Sequence, residues 1–152
     1  LLDNGDGTGT LGSITDWQLA IGNWNFNDDT GAAAAYTIFT VTGRVEIKGI
    51  YGICTTALTS GGAATIELGV TGNTAVFIAQ ATATALIANE IWHDATPTTT
   101  VEVIDIDGTK HFVITNGQDV IFTIGTADLT AGNVDIYCWW RPISVGSSVV
   151  AA

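Results

Sequence analysis

The chain has 152 residues, which is enough for one domain with a substantial core. Fifteen acidic residues stand against four basic ones, and the resulting net charge of −11 argues against binding to nucleic acid or to an anionic membrane. Charged residues are only 12% of the chain and apolar residues are 47%, so we expect part of the surface to be buried against other subunits.

The chain begins with a Gly-rich stretch that looks like a calcium-binding loop. In DNGDGTGT, residues 3–10, Gly7 takes the place of the turn glycine of such a loop. Leu2 and Ser13 then fall where an Asp and a bidentate Glu are needed, so we predict a turn and no metal site. Residues 1–35 are rich in Gly, Asn, Asp and Ala. We predict that they form an irregular N-terminal arm with one strand within TDWQLAIGNW.

From Tyr36 onward, apolar and polar residues alternate with a period of two. The pattern predicts strands rich in Val, Ile, Thr and aromatic residues at RVEIKGI, ATIELGV, DVIFTIG and NVDIYCWW. Residues 101–115 predict a hairpin that turns at Asp107-Gly108, and residues 79–92 have room for one helical turn. Further turns are predicted at Ser60-Gly61-Gly62, Gly72-Asn73, Asn116-Gly117 and Gly132-Asn133.

These elements predict an all-β fold. We expect a single antiparallel β-sandwich of about eight strands, with a jelly roll as the favoured form, over residues 36–144. Residues 145–152 are predicted to be a C-terminal tail.

The chain is poor in groups that could carry catalysis. Glu90, His93 and Asp94 are close in sequence, but in an extended strand Glu90 and His93 point to opposite sides. Neither a nucleophile elbow nor a phosphate-binding loop is present. We therefore predict no enzyme activity, no catalytic residue, no cofactor and no metal site. Cys54 and Cys138 are interpreted as buried free thiols in preference to a disulfide.

Four tryptophans and an arginine are the candidate binding residues. Trp17 and Trp24 lie in the predicted arm, while Trp139 and Trp140 are neighbours on one strand and precede Arg141. Adjacent strand residues face opposite sides, so one tryptophan of the pair must point outward. An outward Trp beside an Arg is typical of protein interfaces, which we favour over the alternative of a platform for sugar rings.

Residues 40–97 and 120–144 resemble small virion structural proteins of tailed bacteriophages. The resemblance rests on TGRVEIKGIYGICTTALT, GGAATIELGVTGNTAVFIA and NEIWHDATP, and it continues in VIFTIGTADLTAGNVDIYCWWRPIS. It implies a non-enzymatic role in the virion, at the capsid surface, as a decoration (cement) protein that stabilises the shell by binding the major capsid protein. It also implies a homo-oligomer, with a trimer expected.

Two other functions are compatible with the sequence. One is a head-fibre or tail-associated module that binds a receptor or glycan through exposed tryptophans. The other is a structural part of the tail or of the head–tail connector.

Overall fold

The structure, a computed structural model, describes residues 2–3, 9–10, 16–99, 101, 104 and 111–152, with only the backbone at 2–3, 9–10 and 99. A short helix, α1 (Phe26–Asp29), and a 3-10 turn at Ala83–Ala85 accompany the strands. The strands in chain order are β1 (Leu2–Asp3), β2 (Gly9–Thr10), β3 (Gln18–Asn25), β4 (Ala35–Thr42), β5 (Val45–Ser60), β6 (Thr65–Val70), β7 (Asn73–Thr82), β8 (Glu90–Trp92), β9 (Thr98–Thr99), β10 (Phe112–Ile114), β11 (Val120–Gly125), β12 (Leu129–Pro142) and β13 (Ser148–Ala151).

The described strands form two main antiparallel sheets and one small ribbon. The first sheet has the order β3-β12-β5-β8-β9, and β10 also pairs with β5. The second sheet has the order β13-β4-β11-β6-β7, while β1 pairs with β2 alone. Two sheets that bury their inner faces against each other form a sandwich, so the predicted all-β fold is confirmed.

The strand order is that of a jelly roll. Strands pair from the outside of the sequence inward: β3 with β12, β4 with β11, β5 with β8 and β10, and β6 with β7. Successive pairs alternate between the first and second sheets, as in a long antiparallel ribbon rolled into a sandwich. The favoured form of the sandwich therefore agrees with the topology.

The core lies between the sheets, and the predicted alternation places its residues. Val134, Ile136, Cys138 and Trp140 of β12 are all buried, while the residues between them are partly exposed. The Phe122 ring stacks on Trp24 at 5.3 Å between centroids and meets the edge of Trp92 at 5.7 Å. These three aromatic side chains are fully buried and fill the middle of the sandwich.

The predicted limits of the domain need correction at both ends. Strand β3, which was assigned to the arm, pairs with β12 along all eight of its residues. Strand β13, which was assigned to the tail, pairs with β4 at the edge of the second sheet. The strand predicted within TDWQLAIGNW is therefore present, but it belongs to the sandwich. β13 was not predicted as a strand because Gly and Ser interrupt its apolar pattern.

One predicted turn is also wrong. Gly132-Asn133 lies inside β12, where the pairing with β5 shifts register and Gly132 has a φ of 140°. Glycine serves here as a bulge residue within a strand. The predicted turn at Asp107-Gly108 lies outside the described residues, although β10 occupies the position of its second strand.

Candidate interaction surface

The outer face of the first sheet gathers most of the predicted binding residues. On β12 the outward positions are Asp135, Tyr137, Trp139 and Arg141, because every second residue points into the core. Strand β3 borders them on one side and β5 on the other. We call this surface the outer face. It is formed by the outward side chains of β3, β12 and the part of β5 from Glu46 to Ile53, together with Trp17, which directly precedes β3.

The middle of the outer face is apolar and aromatic. Tyr137 lies opposite Tyr51 of β5, and their rings stack at 5.2 Å between centroids with an interplanar angle of 11°. On the other side, Ile21 pairs with Tyr137 and Leu19 pairs with Trp139. Ile21 is 52% exposed and Leu19 is 42% exposed. Large apolar side chains that are exposed next to one another mark an interaction surface.

One end of the outer face is basic. The Glu46 carboxylate accepts a hydrogen bond from Arg141 Nε at 2.6 Å and lies 2.6 Å from His111 Nδ1. The Trp17 ring lies over the guanidinium of Arg141, with 4.7 Å from Cζ to the ring centroid. Lys48 Nζ lies 5.4 Å from the same centroid, so Trp17 meets two cations through the face of its ring.

The charge of Glu46 is held in place by these neighbours. Burial acts to raise the pKa of the Glu46 carboxyl, but hydrogen bonds and positive charge from Arg141 and His111 outweigh it and hold the pKa below its ordinary value of 4.5. Glu46 is therefore ionised at neutral pH, and it orients the guanidinium that Trp17 covers.

The other end of the outer face is acidic. Asp135 accepts a hydrogen bond from Asn23 Nδ2 at 2.7 Å, and both residues line an open cavity of about 320 Å³ together with Asp28 and Asp29 of α1. Asp29 caps the turn by accepting from the backbone N–H of Asn25 at 2.8 Å. No Lys or Arg lines this cavity.

The structure separates the five candidate residues into two groups. Trp17, Trp139 and Arg141 lie on the outer face and are partly exposed. Trp24 is fully buried and Trp140 is 5% exposed, so their prediction as interface residues is corrected. Trp24 was predicted to lie at an interface because its strand was expected to belong to the arm, whereas β3 places it in the core. Trp140 is the inward member of the predicted pair. Tyr51, Tyr137, Leu19 and Ile21 were not predicted. The strand period places Tyr137 outward, whereas Tyr51 faces outward because the register between β5 and β12 shifts at Trp139/Trp140.

Glu90, His93 and Asp94, which were considered for catalysis, do not converge on one site. Glu90 is buried and accepts a hydrogen bond from the backbone N–H of Ile87 at 2.8 Å, whereas His93 lies near the more exposed Asp94. Within the described residues, no group of three or more His, Cys, Asp or Glu side chains could hold a metal ion. The described part of the chain also contains no helix that is long and apolar enough to cross a membrane.

Both thiols are buried, and they do not form a disulfide with each other. Cys54 lies opposite Val134 of β12, four residues from Cys138, which is about 13 Å along an antiparallel strand. Burial raises the pKa of Cys54 to about 11 and that of Cys138 to about 12. The interpretation of the cysteines as buried free thiols agrees with this arrangement.

The fold is shared with chains of two phage capsids. A chain of the capsid asymmetric unit of cyanophage Pam1 matches with a TM-score of 0.55 and 15% identity, over 90% of this chain and 92% of that one. A chain in the acidic stable capsid structure of the Helicobacter pylori bacteriophage KHP30 matches with a TM-score of 0.53 and 11% identity, over 90% and 94%. No family model matches the sequence, and no curated protein matches it significantly.

Proposed function

We propose that this chain is a non-enzymatic structural protein of a phage particle, which decorates the outer surface of the shell and stabilises it. The observation that carries the proposal is the match to chains of two phage capsids over nine-tenths of this chain. Each match covers nearly the same share of both aligned chains, so the two capsid chains are about as long as this one. The likeness therefore extends over most of this chain and over most of each capsid chain.

The physical properties of the chain suit binding to a repeated lattice. Apolar contacts that are individually weak become strong together when many copies bind a shell of identical subunits. A net charge of −11 would keep decorated particles apart in solution. The major capsid protein is the partner that this function requires, and we place a further contact in the segment that precedes Trp17.

Rebinding to particles that lack the chain tests this proposal. Purified protein is added to particles of the phage that encodes it, made without this gene, and bound protein is measured after sedimentation. We expect saturable binding and a higher temperature of DNA release. A protein that lacks residues 1–15 should bind more weakly while keeping its fold. If the full chain stays in the supernatant at all concentrations, the decoration function is wrong.

The aromatic part of the outer face favours a second candidate function. Tyr51, Tyr137 and Trp139 lie beside the polar pair Asn23 and Asp135, and aromatic faces with adjacent hydrogen-bonding groups also suit sugar rings. A head-fibre or receptor-binding module would use this surface for a host glycan. A screen of the purified protein against host surface glycans separates the two functions, because a decoration protein should bind none of them.

A further inference from the structure

The outer face changes in character along β12, from acidic to apolar to basic. Asp135 stands at the acidic end, Tyr137 and Trp139 lie in the middle, and Arg141 stands at the basic end. The six residue steps from Asp135 to Arg141 span about 20 Å of strand. This order makes the face complementary to a reversed copy of itself.

We infer that the outer face binds the outer face of a second copy of this chain, about a two-fold axis that crosses the strands at the level of Cys138. The inference concerns the free protein and does not depend on the proposed function. An interface about a two-fold axis must be self-complementary, because each residue meets its partner twice. At this level of the axis, Asp135 of each copy faces the basic end of the other, where Trp17 lies over Arg141 and Lys48.

The same axis also brings apolar and aromatic side chains of the two copies together in the middle of the outer face. A rotation about an axis across the strands keeps each strand over its own equivalent and reverses its direction. Tyr137 then lies over Trp139 of the second copy, and Leu19 lies over Ile21. Tyr51, which pairs with Tyr137, lies over Gly49, which pairs with Trp139 and has no side chain to obstruct the ring.

Charge disfavours an arrangement in which the two-fold axis runs parallel to the strands. An axis parallel to the strands would place Asp135 over Asp135 and Arg141 over Arg141, and like charges in contact weaken association. The axis across the strands instead joins the ends of opposite sign.

The two ends differ in charge beyond this one pair. Arg44, Lys48 and Arg141, which are the three described Lys and Arg residues, are at the basic end with Glu46, while Asp16 precedes Trp17 there. The acidic end has Asp28, Asp29 and Asp135. In a chain of net charge −11, the basic end is the part of the described surface that can attract a second copy.

An exchange of charges between two variants tests the arrangement. We would measure the mass of Asp135→Arg, Arg141→Asp, their equimolar mixture and the wild type by sedimentation, at equal protein concentration. The wild type should be a dimer of the 15.8 kDa chain. Each variant alone places like charges together at both contacts, so its dimer should be at least ~10-fold weaker. The mixture should recover the dimer because both contacts again join opposite charges.

A variant in the apolar middle of the outer face keeps the test decisive if Arg141→Asp fails to fold. Ile21→Glu introduces a charge at an exposed position of the apolar middle and should also give monomers. Val150→Glu on β13 is the matched control, since Val150 is 57% exposed on the second sheet and should leave the dimer intact. Glu67→Arg on β6 is the corresponding control for the charge change of Asp135→Arg.

Several results would overturn the inference. They are a monomeric wild type, a trimer, a dimer that survives Ile21→Glu, or a mixture of the charge variants that stays monomeric. A monomeric wild type whose particle binding is lost in Ile21→Glu would assign the outer face to the shell instead. Rebinding to particles is a separate measurement, so failure of the dimer and failure of the decoration function can be told apart.

Discussion

Glu46 is the residue whose ionisation most directly stabilises the basic end of the outer face. It accepts from Arg141 and lies beside His111, and its side chain is 14% exposed. Its pKa is lowered in the folded protein, so its contribution is present above the ordinary pKa of 4.5 and is lost as the pH falls through the lower folded value.

The first prediction concerns Glu46→Gln. At neutral pH this change should lower the free energy of unfolding by about 1–3 kcal/mol, because Arg141 loses a charged acceptor. The difference between the variant and the wild type should shrink as the pH falls below 4.5, where the unfolded wild-type chain takes up a proton, and it should be lost once the pH passes the lower pKa of folded Glu46. Urea unfolding of both proteins between pH 3 and pH 7 measures this. A difference that stays constant over this range would show that the ion pair has no part in stability.

The buried thiols give a second prediction. Burial raises the pKa of Cys54 to about 11 and of Cys138 to about 12, so both are protonated and shielded at neutral pH. An aromatic disulfide reagent at pH 8 should therefore react with neither thiol in the native protein and with both in denaturant. Rapid reaction of the native protein would contradict the burial of these residues.

At the scale of the elements, the hairpin between β6 and β7 depends on a glycine. A Cβ at Gly69 would lie 2.2 Å from the backbone oxygen of Asn73, whereas a Cβ at Gly61 meets no atom within 4 Å. The close approach in the hairpin leaves no room for a side chain.

We therefore predict different results for two alanine variants. Gly69→Ala should destabilise the protein by about 1–3 kcal/mol or more, because the backbone of β7 must move. Gly61→Ala is the matched control and should change the free energy of unfolding by less than about 0.5 kcal/mol. Thermal unfolding measures both. Equal stability of the two variants would contradict the pairing of β6 with β7.

The N-terminal strand β3 gives the fourth prediction. It covers one side of β12 and places Trp24 in the core, so a chain that lacks residues 1–25 should not fold cooperatively. A chain that lacks residues 1–15 keeps β3 and Trp17 and should unfold in one cooperative transition. Circular dichroism during heating distinguishes them. A stable fold after removal of 1–25 would show that β3 is dispensable.

The strands were predictable to different degrees, for physical reasons. β5, β6, β11 and β12 are visible in the sequence because one of their faces is buried and the other is partly exposed, which gives the period of two. β3 and β13 lie at sheet edges, where Gly and small polar residues are tolerated and blur the pattern. Gly132-Asn133 was predicted as a turn because glycine is favoured at positive φ both in turns and in bulges within strands.

For the whole molecule, the interaction surface was only partly predictable. The strand period shows that one of Trp139 and Trp140 points outward, and it identifies Trp139, because Trp140 shares its face with the apolar residues Val134, Ile136 and Cys138. The grouping of Trp17, Glu46, His111 and Arg141 depends on strands far apart in sequence that meet only in the first sheet. The stacking of Tyr51 on Tyr137 likewise follows from the register between β5 and β12.

The copy number of the chain in particles tests the decoration function most directly. The proposed function places the chain in a phage particle, and purified particles of that phage would be analysed by quantitative mass spectrometry against the major capsid protein. The account predicts a ratio near one to one or another simple fraction of the shell lattice. A handful of copies per particle would contradict it and point to a fibre or tail role, and absence of the chain from the particle would contradict any structural role in the virion.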